Sequence, residues 1–147
     1  MNPNELRTLY RAYINCLNSR NLDQLGEFVD ADVEYNGTRV SLAGYQDMLK
    51  RDFEAIPDLY FNIKLLCADP PMIASRLNFN CTPSSTLFGN AVNGTRVQFS
   101  ENVFYEFQLR RIRRVWSVID ETAIARQVKE ARLKIRSPVR LAYSDRS

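Results

Sequence analysis

The chain has 147 residues, 45% of them hydrophobic and 25% charged, with a net charge of +3. That is the size and balance of one domain around one core, and apolar runs such as Leu65-Leu66-Cys67-Ala68 fall far short of the roughly 18 residues a membrane span needs. Histidine is absent, which excludes Ser-His-Asp and Cys-His nucleophiles and removes the commonest transition-metal ligand. Any catalysis must run on carboxylates, tyrosines, lysines or arginines.

Cys16, Cys67 and Cys81 are odd in number and unrelated in spacing, which fits neither a disulfide framework nor a zinc site; they read as small apolar residues. The start, Met1-Asn2-Pro3-Asn4-Glu5, lacks a basic segment followed by an apolar one, so the expectation is no secretory signal and a cytoplasmic location. From Glu121 onward seven basic residues face three acidic ones, while the first 120 residues carry 13 against 14. A basic excess on a terminal appendage rather than on a folded face reads as a solvated helix and tail rather than a nucleic-acid surface.

In chain order, Leu6, Leu9, Tyr10, Tyr13, Ile14 and Leu17 recur three and four apart behind Asn2-Pro3-Asn4-Glu5, predicting a capped amphipathic helix. A second short helix is predicted from Leu22 to Val29 behind Asn21. Val33-Glu34-Tyr35 reads as a strand ending at the Asn36-Gly37 turn. Beyond Gly44, the spacing of Tyr45, Met48, Leu49, Phe53 and Ile56 predicts a third helix, stopped by Pro57.

From Asp58 the period becomes two. Leu59, Phe61, Ile63 and Leu65 alternate with polar residues as a half-buried strand. Asp69-Pro70-Pro71 turns into a strand from about Met72 to Cys81, with Arg76, Asn78 and Asn80 as its polar outer face. A loop with Pro83, Gly89 and Asn93-Gly94 precedes two long strands, about Arg96 to Gln108 and Ile112 to Ile119. Helices first and a strand meander after them argue an α+β fold with an antiparallel sheet. Residues Thr122 to Ile135 predict a weakly packed terminal helix, and removal of residues 137 to 147 is expected to leave the fold intact.

If the last two strands join through a two-residue turn, alternation puts Phe99, Glu101, Val103, Tyr105 and Phe107 on one face with Trp116, Val118 and Asp120. Two carboxylates on an apolar face are costly in a purely structural core. In one cavity they would push at least one pKa upward and supply a base or acid near neutrality. Tyr105 and Trp116 add hydrogen-bond donors, Phe99, Val103 and Val118 an apolar wall, and Arg39, after Asn36-Gly37, is a candidate for the cavity mouth. The alternative is a core in which Arg39 or Arg76 neutralises the acids.

The segments Asn21-Leu22-Asp23, Ile56-Pro57-Asp58-Leu59, Ile73-Ala74-Ser75-Arg76, Asn93-Gly94-Thr95-Arg96-Val97 and Val115-Trp116-Ser117-Val118-Ile119-Asp120, with the opening helix, resemble the SnoaL-like polyketide cyclases and predicted ester cyclases. The resemblance covers about residues 5 to 125, leaving 126 to 147 as a basic helix and tail. These families belong to the nuclear-transport-factor-2-like (cystatin-like) superfamily, with scytalone dehydratase and ketosteroid isomerase. It implies a cone: a bent antiparallel sheet wrapped on three N-terminal helices. It also implies that Asp120, ending Trp-x-x-x-Asp, is the general acid/base of an intramolecular aldol closure without metal or cofactor.

The chain departs from the family in having Leu109-Arg110 at the final hairpin, where many members have Asp-Gly, and in lacking a pocket histidine. Tyr105, Asn102 or Arg39 would then have to polarise the substrate carbonyl, with Glu101 sharing the proton. The expected partners are a small carbonyl-containing, polyketide-like substrate and a second copy of the chain, forming a homodimer through Phe104, Val115 and Ile119 on the convex side of the sheet. Nucleic acid and membrane are not expected. A non-catalytic ligand-binding or dimerisation module, or a hydrolase or dehydratase using the same acids, is the alternative.

Overall fold

A computed structural model describes residues 1 to 136; the expectation for residues 137 to 147 lies outside the described residues. Helix α1, Pro3–Asn18, starts as its sequence requires. The Asn2 side chain accepts from the Glu5 amide at 2.8 Å and donates back to the Glu5 carboxylate at 2.8 Å, so two groups at the helix start are satisfied reciprocally. Its apolar stripe of Leu6, Tyr10, Tyr13, Ile14 and Leu17 is buried. The second predicted helix is a 3₁₀ turn, Leu22–Glu27, and Val29 already belongs to a strand. Helix α2, Ser41–Ala55, buries Tyr45, Leu49 and Phe53.

The strands are β1 (Val29–Tyr35), β2 (Thr38–Arg39), β3 (Asn62–Asp69), β4 (Met72–Cys81), β5 (Thr86–Leu87), β6 (Asn90–Ala91), β7 (Val97–Gln108) and β8 (Arg111–Ile119). Six of them form one sheet in the order β2-β1-β8-β7-β4-β3, antiparallel throughout except that β1 runs parallel to β8. The first strand thus crosses over to the far side of the meander, a pairing that local alternation does not reveal. Helices α1 and α2 cover the concave face. The stretch expected to be a loop holds a small separate hairpin, β5–β6.

The β7–β8 register overturns one expectation. Leu109-Arg110 is the two-residue turn, with Gln108 opposite Arg111 and Phe107 opposite Ile112, but Glu106 then pairs with Arg114. Arg113 is an extra residue, a β-bulge, and every later residue of β8 is moved by one position relative to simple alternation. Ile112 and Val115 are therefore buried, and Ser117 and Ile119 follow them inward, while Trp116 and Val118 join Asn102 and Phe104 on the outer face. Val118 is 70% exposed. The convex apolar group is accordingly Phe104, Trp116 and Val118; Val115 and Ile119, expected there, face the other way. A second irregularity, between Ile63 and Leu65 of β3, likewise turns Leu65 out to 60% exposure.

The bulge is fastened by charge. The Arg114 guanidinium donates to Glu34 at 2.7 Å and to Glu106 at 2.5 Å, and Arg113 donates to the Asp32 carbonyl at 2.6 Å. Strand β4 presents Ile73, Ser75, Leu77, Phe79 and Cys81 inward and Arg76 and Asn80 outward, as its alternation requires. Helix α3, Glu121–Arg136, buries Ile124 and Val128, and its Gln127 side chain clamps the Gln98 backbone, accepting from its amide at 2.7 Å and donating to its carbonyl at 2.5 Å.

Asp120 sits where β8 passes into α3, exposed, and its carboxylate accepts from the Ala123 amide at 3.2 Å. That is an N-cap, the commonest structural use of an aspartate in this position. Asp120→Ala is expected to cost about 1 kcal/mol of stability, and Asp120→Asn much less, because asparagine caps equally well. Thermal unfolding of the two variants beside the wild type checks this.

Candidate functional site

Between α2 and the concave face of the sheet lies a cavity of about 510 Å³. Its walls are Tyr35 from β1, Met48, Arg51, Asp52 and Ala55 from α2, Phe61, Phe79 and Phe99, the β5–β6 hairpin residues Thr86, Leu87 and Phe88, and Glu101 and Ile119 from the last two strands. A narrow recess of about 60 Å³ continues inward, sharing Tyr35, Met48, Asp52, Phe61 and Glu101 and ending on Tyr13, Tyr45, Val103 and Tyr105. The wall is mostly aromatic at the wide end and phenolic at the narrow one. A larger, more open groove of about 690 Å³ runs past Arg76, Asn78, Asn80, Gln98 and Asp120 and meets the cavity wall at Phe79 and Phe99, but it holds neither Glu101 nor any tyrosine of the recess.

Glu101 is the charge at the junction of cavity and recess. Its position follows from period-two alternation in β7, between buried Phe99 and Val103. The Ser117 hydroxyl donates to its Oε2. Ser117 is in turn held from outside, since the Asn36 side chain accepts from its amide at 2.8 Å and donates to its carbonyl at 3.3 Å. The Asn36-Gly37 turn thus does more than reverse the chain: it pins the residue that orients Glu101. Burial pushes the Glu101 carboxyl up, the Ser117 hydrogen bond opposes that shift, and the negative charge of Asp52 adds to it. No lysine or arginine forms a salt bridge with Glu101 among the described residues.

Asp52 is the second acid, and it was not singled out in the sequence. The signal was present: Asp52 falls four residues after Met48 and three before Ala55, on the very stripe of α2 that faces inward. Desolvation raises its carboxyl to about 6, with Arg51 next to it pulling the other way. Asp52 nevertheless keeps more than a third of its surface accessible. The two facts agree if that surface looks into the water-filled cavity that Asp52 lines, so a bound apolar molecule would desolvate it further.

Around the acids stand five tyrosines. The Tyr13 and Tyr45 hydroxyls share a hydrogen bond of 2.6 Å, and Tyr105 packs against the rings of Tyr10 and Tyr13 at 5.0 and 5.8 Å. Burial pushes Tyr10 up to about 12 and Tyr13, Tyr45 and Tyr105 further, and the negative charge of Glu101 adds to the shift of each, as it does for Tyr35. These phenols remain protonated donors at any physiological pH. They can stabilise an oxyanion but cannot act as bases.

The expected site residues therefore divide. Phe99, Glu101, Val103 and Tyr105 are brought together at the cavity and recess. Asp120, Trp116, Val118 and Asn102 are not, because the Arg113 bulge or their own alternation puts them on the outer face. Arg39 is also displaced: it lies on the short edge strand β2, exposed, and pairs with Asp32. Arg76 donates to the Asn102 side-chain Oδ1 at 3.2 Å on the outer face. Neither arginine reaches Glu101, so the alternative of an acid neutralised within the core does not apply to it. Asp58 of the Pro57-Asp58 element is structural, its carboxylate accepting from the Thr82 amide at 2.8 Å to tie off β4.

The family model for the SnoaL-like polyketide cyclases matches residues 7–128. A crystal structure of a SnoaL-like polyketide cyclase from Agrobacterium tumefaciens is 51% identical over 84% of this chain and 97% of its own, with a TM-score of 0.83. TsrD from Streptomyces laurentii, 14% identical, covers 87% of this chain and 97% of its own at a TM-score of 0.77. IdmH from Streptomyces antibioticus, 16% identical, covers 84% and 97% at 0.73. These two share the fold, which is the α+β cone of the nuclear-transport-factor-2-like superfamily. No curated protein matches the chain. By the matched model and the half-identical relative, the chain belongs to the SnoaL-like polyketide cyclase family.

Proposed function

We propose that the protein is a cofactor-independent acid/base isomerase or cyclase acting on a small carbonyl compound, with Asp52 and Glu101 as the proton-transferring pair. The observation that carries this reading is the placement of two carboxyls with raised pKa values in one cavity, beside phenolic donors and without a cation fixed to Glu101. Pairs of titratable groups whose surroundings separate their pKa values are how one site supplies a base and an acid together. The family supports a cyclase or isomerase kind of activity.

In the proposed cycle Asp52, a carboxylate at neutral pH, removes a proton from the carbon α to a carbonyl. The enolate oxygen accepts hydrogen bonds from the phenols at the recess, Tyr45 and Tyr105 being the candidates. For isomerisation the proton returns at another carbon. For ring closure the enolate carbon attacks a second carbonyl of the same molecule, the C–C bond forms, and the new alkoxide takes a proton from Glu101, the deeper acid. The Asp52 proton then passes to Glu101, directly or relayed by water, restoring both groups. What supports the catalytic reading over a non-catalytic module is that no described arginine or lysine forms a salt bridge with Glu101 and that the cavity of about 510 Å³ is not filled by side chains.

Exchange of α-hydrogens in deuterated buffer tests the reading. With 2-tetralone and a series of smaller ketones, the wild type is expected to accelerate exchange seen by NMR, and Asp52→Asn to abolish the acceleration. Exchange at the buffer rate across the series, or equal acceleration by the variant, would overturn the assignment.

A further inference from the structure

The β5–β6 hairpin lines the cavity from outside the large sheet and the helices, as does the α2–β3 connection that carries Ile56, Leu59 and Phe61. Its turn residues, Phe88 and Gly89, both have left-handed backbone, with φ of 48° and 78°, between the paired residues Leu87 and Asn90. This is the geometry of a tight primed turn, whose first central position ordinarily takes asparagine, aspartate or glycine. A phenylalanine there is strained. Strain alone does not mark a site, because Leu109 and Arg110 occupy the same kind of turn at the β7–β8 junction. Surroundings separate the two cases. Leu109 is 89% exposed, whereas Phe88 lines the cavity with its ring edge-on to Phe99 at 6.4 Å.

Phe88 also completes a row. Phe53 meets Phe61 at 6.2 Å, Phe61 meets Phe79 at 5.4 Å, Phe79 stacks on Phe99 at 5.1 Å, and Phe99 meets Phe88. The hairpin that carries Phe88 is tied down at both ends. Ser84 donates from its amide to the Ala55 carbonyl, 2.9 Å, at the end of α2, and Arg132 of α3 donates to the Ala91 carbonyl, 3.4 Å. Leu87 and Val92 are buried beneath it. Phe88 itself remains 43% exposed at the tip, so its ring is held at the cavity mouth with one side unoccupied.

We propose that Phe88 is a specificity-determining residue: from the hairpin tip it closes the phenylalanine wall over the cavity and makes the site select flat, unsaturated rings over puckered, saturated rings of the same skeleton. Aromatic pairs gain from edge-to-face and offset-stacked contact beyond the area they bury, and a flat ring can meet Phe88 and Phe99 together in this way. A saturated ring of equal carbon count buries similar area but lacks the π face, so it forgoes these contacts. The proposal rests on the reading of this cavity as the substrate site, but not on its chemistry.

The test compares binding of 2-naphthol and decahydro-2-naphthol by calorimetry to the wild type, Phe88→Ala, Phe88→Leu and Glu101→Gln. The wild type is expected to prefer 2-naphthol by about tenfold, in line with the energy of one or two aromatic contacts. Phe88→Ala and Phe88→Leu should both reduce that preference to within about twofold. The leucine variant keeps apolar cover on the hairpin, so its loss of preference cannot come from a collapsed flap, and an unchanged melting temperature confirms this. Glu101→Gln should retain the preference, which separates ring selection from proton transfer. Equal binding of the two alcohols by the wild type, or a preference that survives in both Phe88 variants, would overturn the proposal while leaving the acid/base reading to its own exchange test.

Discussion

Asp52→Asn is expected to lower turnover by about 10²–10⁴-fold, the usual range for loss of a general base, while the protein stays folded. Glu101→Gln should cost less, about 10–10²-fold, because the amide still donates a hydrogen bond where the carboxylic acid did, and only the transferable proton is lost. The wild-type rate should rise with pH through a region near 6, where burial has brought the Asp52 carboxyl, and that limb should vanish in Asp52→Asn. The apparent value belongs to the pair, since Asp52 raises Glu101 by repulsion. Rates that fall equally in both variants without any change of pH profile would count against the assignment.

The same shifts have a sign in stability. Both carboxyls have folded pKa values above their ordinary ones, so the protonated form is the one the fold favours. Their contribution is fully present below about pH 4, the unfolded range, and is lost as pH rises through the folded values. Asp52→Asn should therefore match the wild type near pH 4 and be the more stable protein at pH 7.5. Because Asp52 is partly solvated, screening holds the gain to about 1 kcal/mol or less. Thermal melts of both proteins at the two pH values read it directly. A variant less stable at pH 7.5 would mean that the carboxylate has a fixed cationic partner.

The largest stability effects should report the β8 register. Ile112 is fully buried opposite Phe107, and Ile112→Ala should cost about 2–5 kcal/mol, transfer and cavity together. Val118, six residues further and of the same parity, is expected inward by simple alternation but lies outside. Val118→Ser should therefore change stability by no more than about 0.5 kcal/mol. Urea titration of the two variants makes the contrast. A large loss at Val118 would restore the unbulged register and return Trp116 and Asp120 to the interior.

Hydrophobic periodicity, turn chemistry and caps are local properties, and they sufficed for α1, α2, β4, β7, β8 and α3, each of which folds close to where its spacing places it. The absence of histidine restricted the chemistry to carboxylates, tyrosines, lysines and arginines before any geometry was known. Glu101 and Tyr105 were legible because β7 pairs with β4 from Val97 to Glu106 without a register shift, so parity alone decides which way they face. Asp52 is equally local, an acid on an apolar helical stripe, but an acid on a helix is ordinarily solvated, so spacing alone does not single it out.

What lay beyond the sequence depended on partners distant along the chain. The bulge at Arg113 exists because Glu34 on β1 and Glu106 on β7 converge on Arg114, and Asp32 receives Arg113. No period within β8 announces that meeting. One inserted residue reverses the facing of everything after it, so the Trp-x-x-x-Asp element, read by alternation or by resemblance as part of a pocket, ends instead in the N-cap of α3. The parallel pairing of β1 with β8 and the seating of Asn36 on Ser117 are likewise settled by which strands find one another in space. Glu101 was thus determined locally to be buried, but what it is buried with, a serine, a second acid and a set of phenols rather than an arginine, was decided by the tertiary fold.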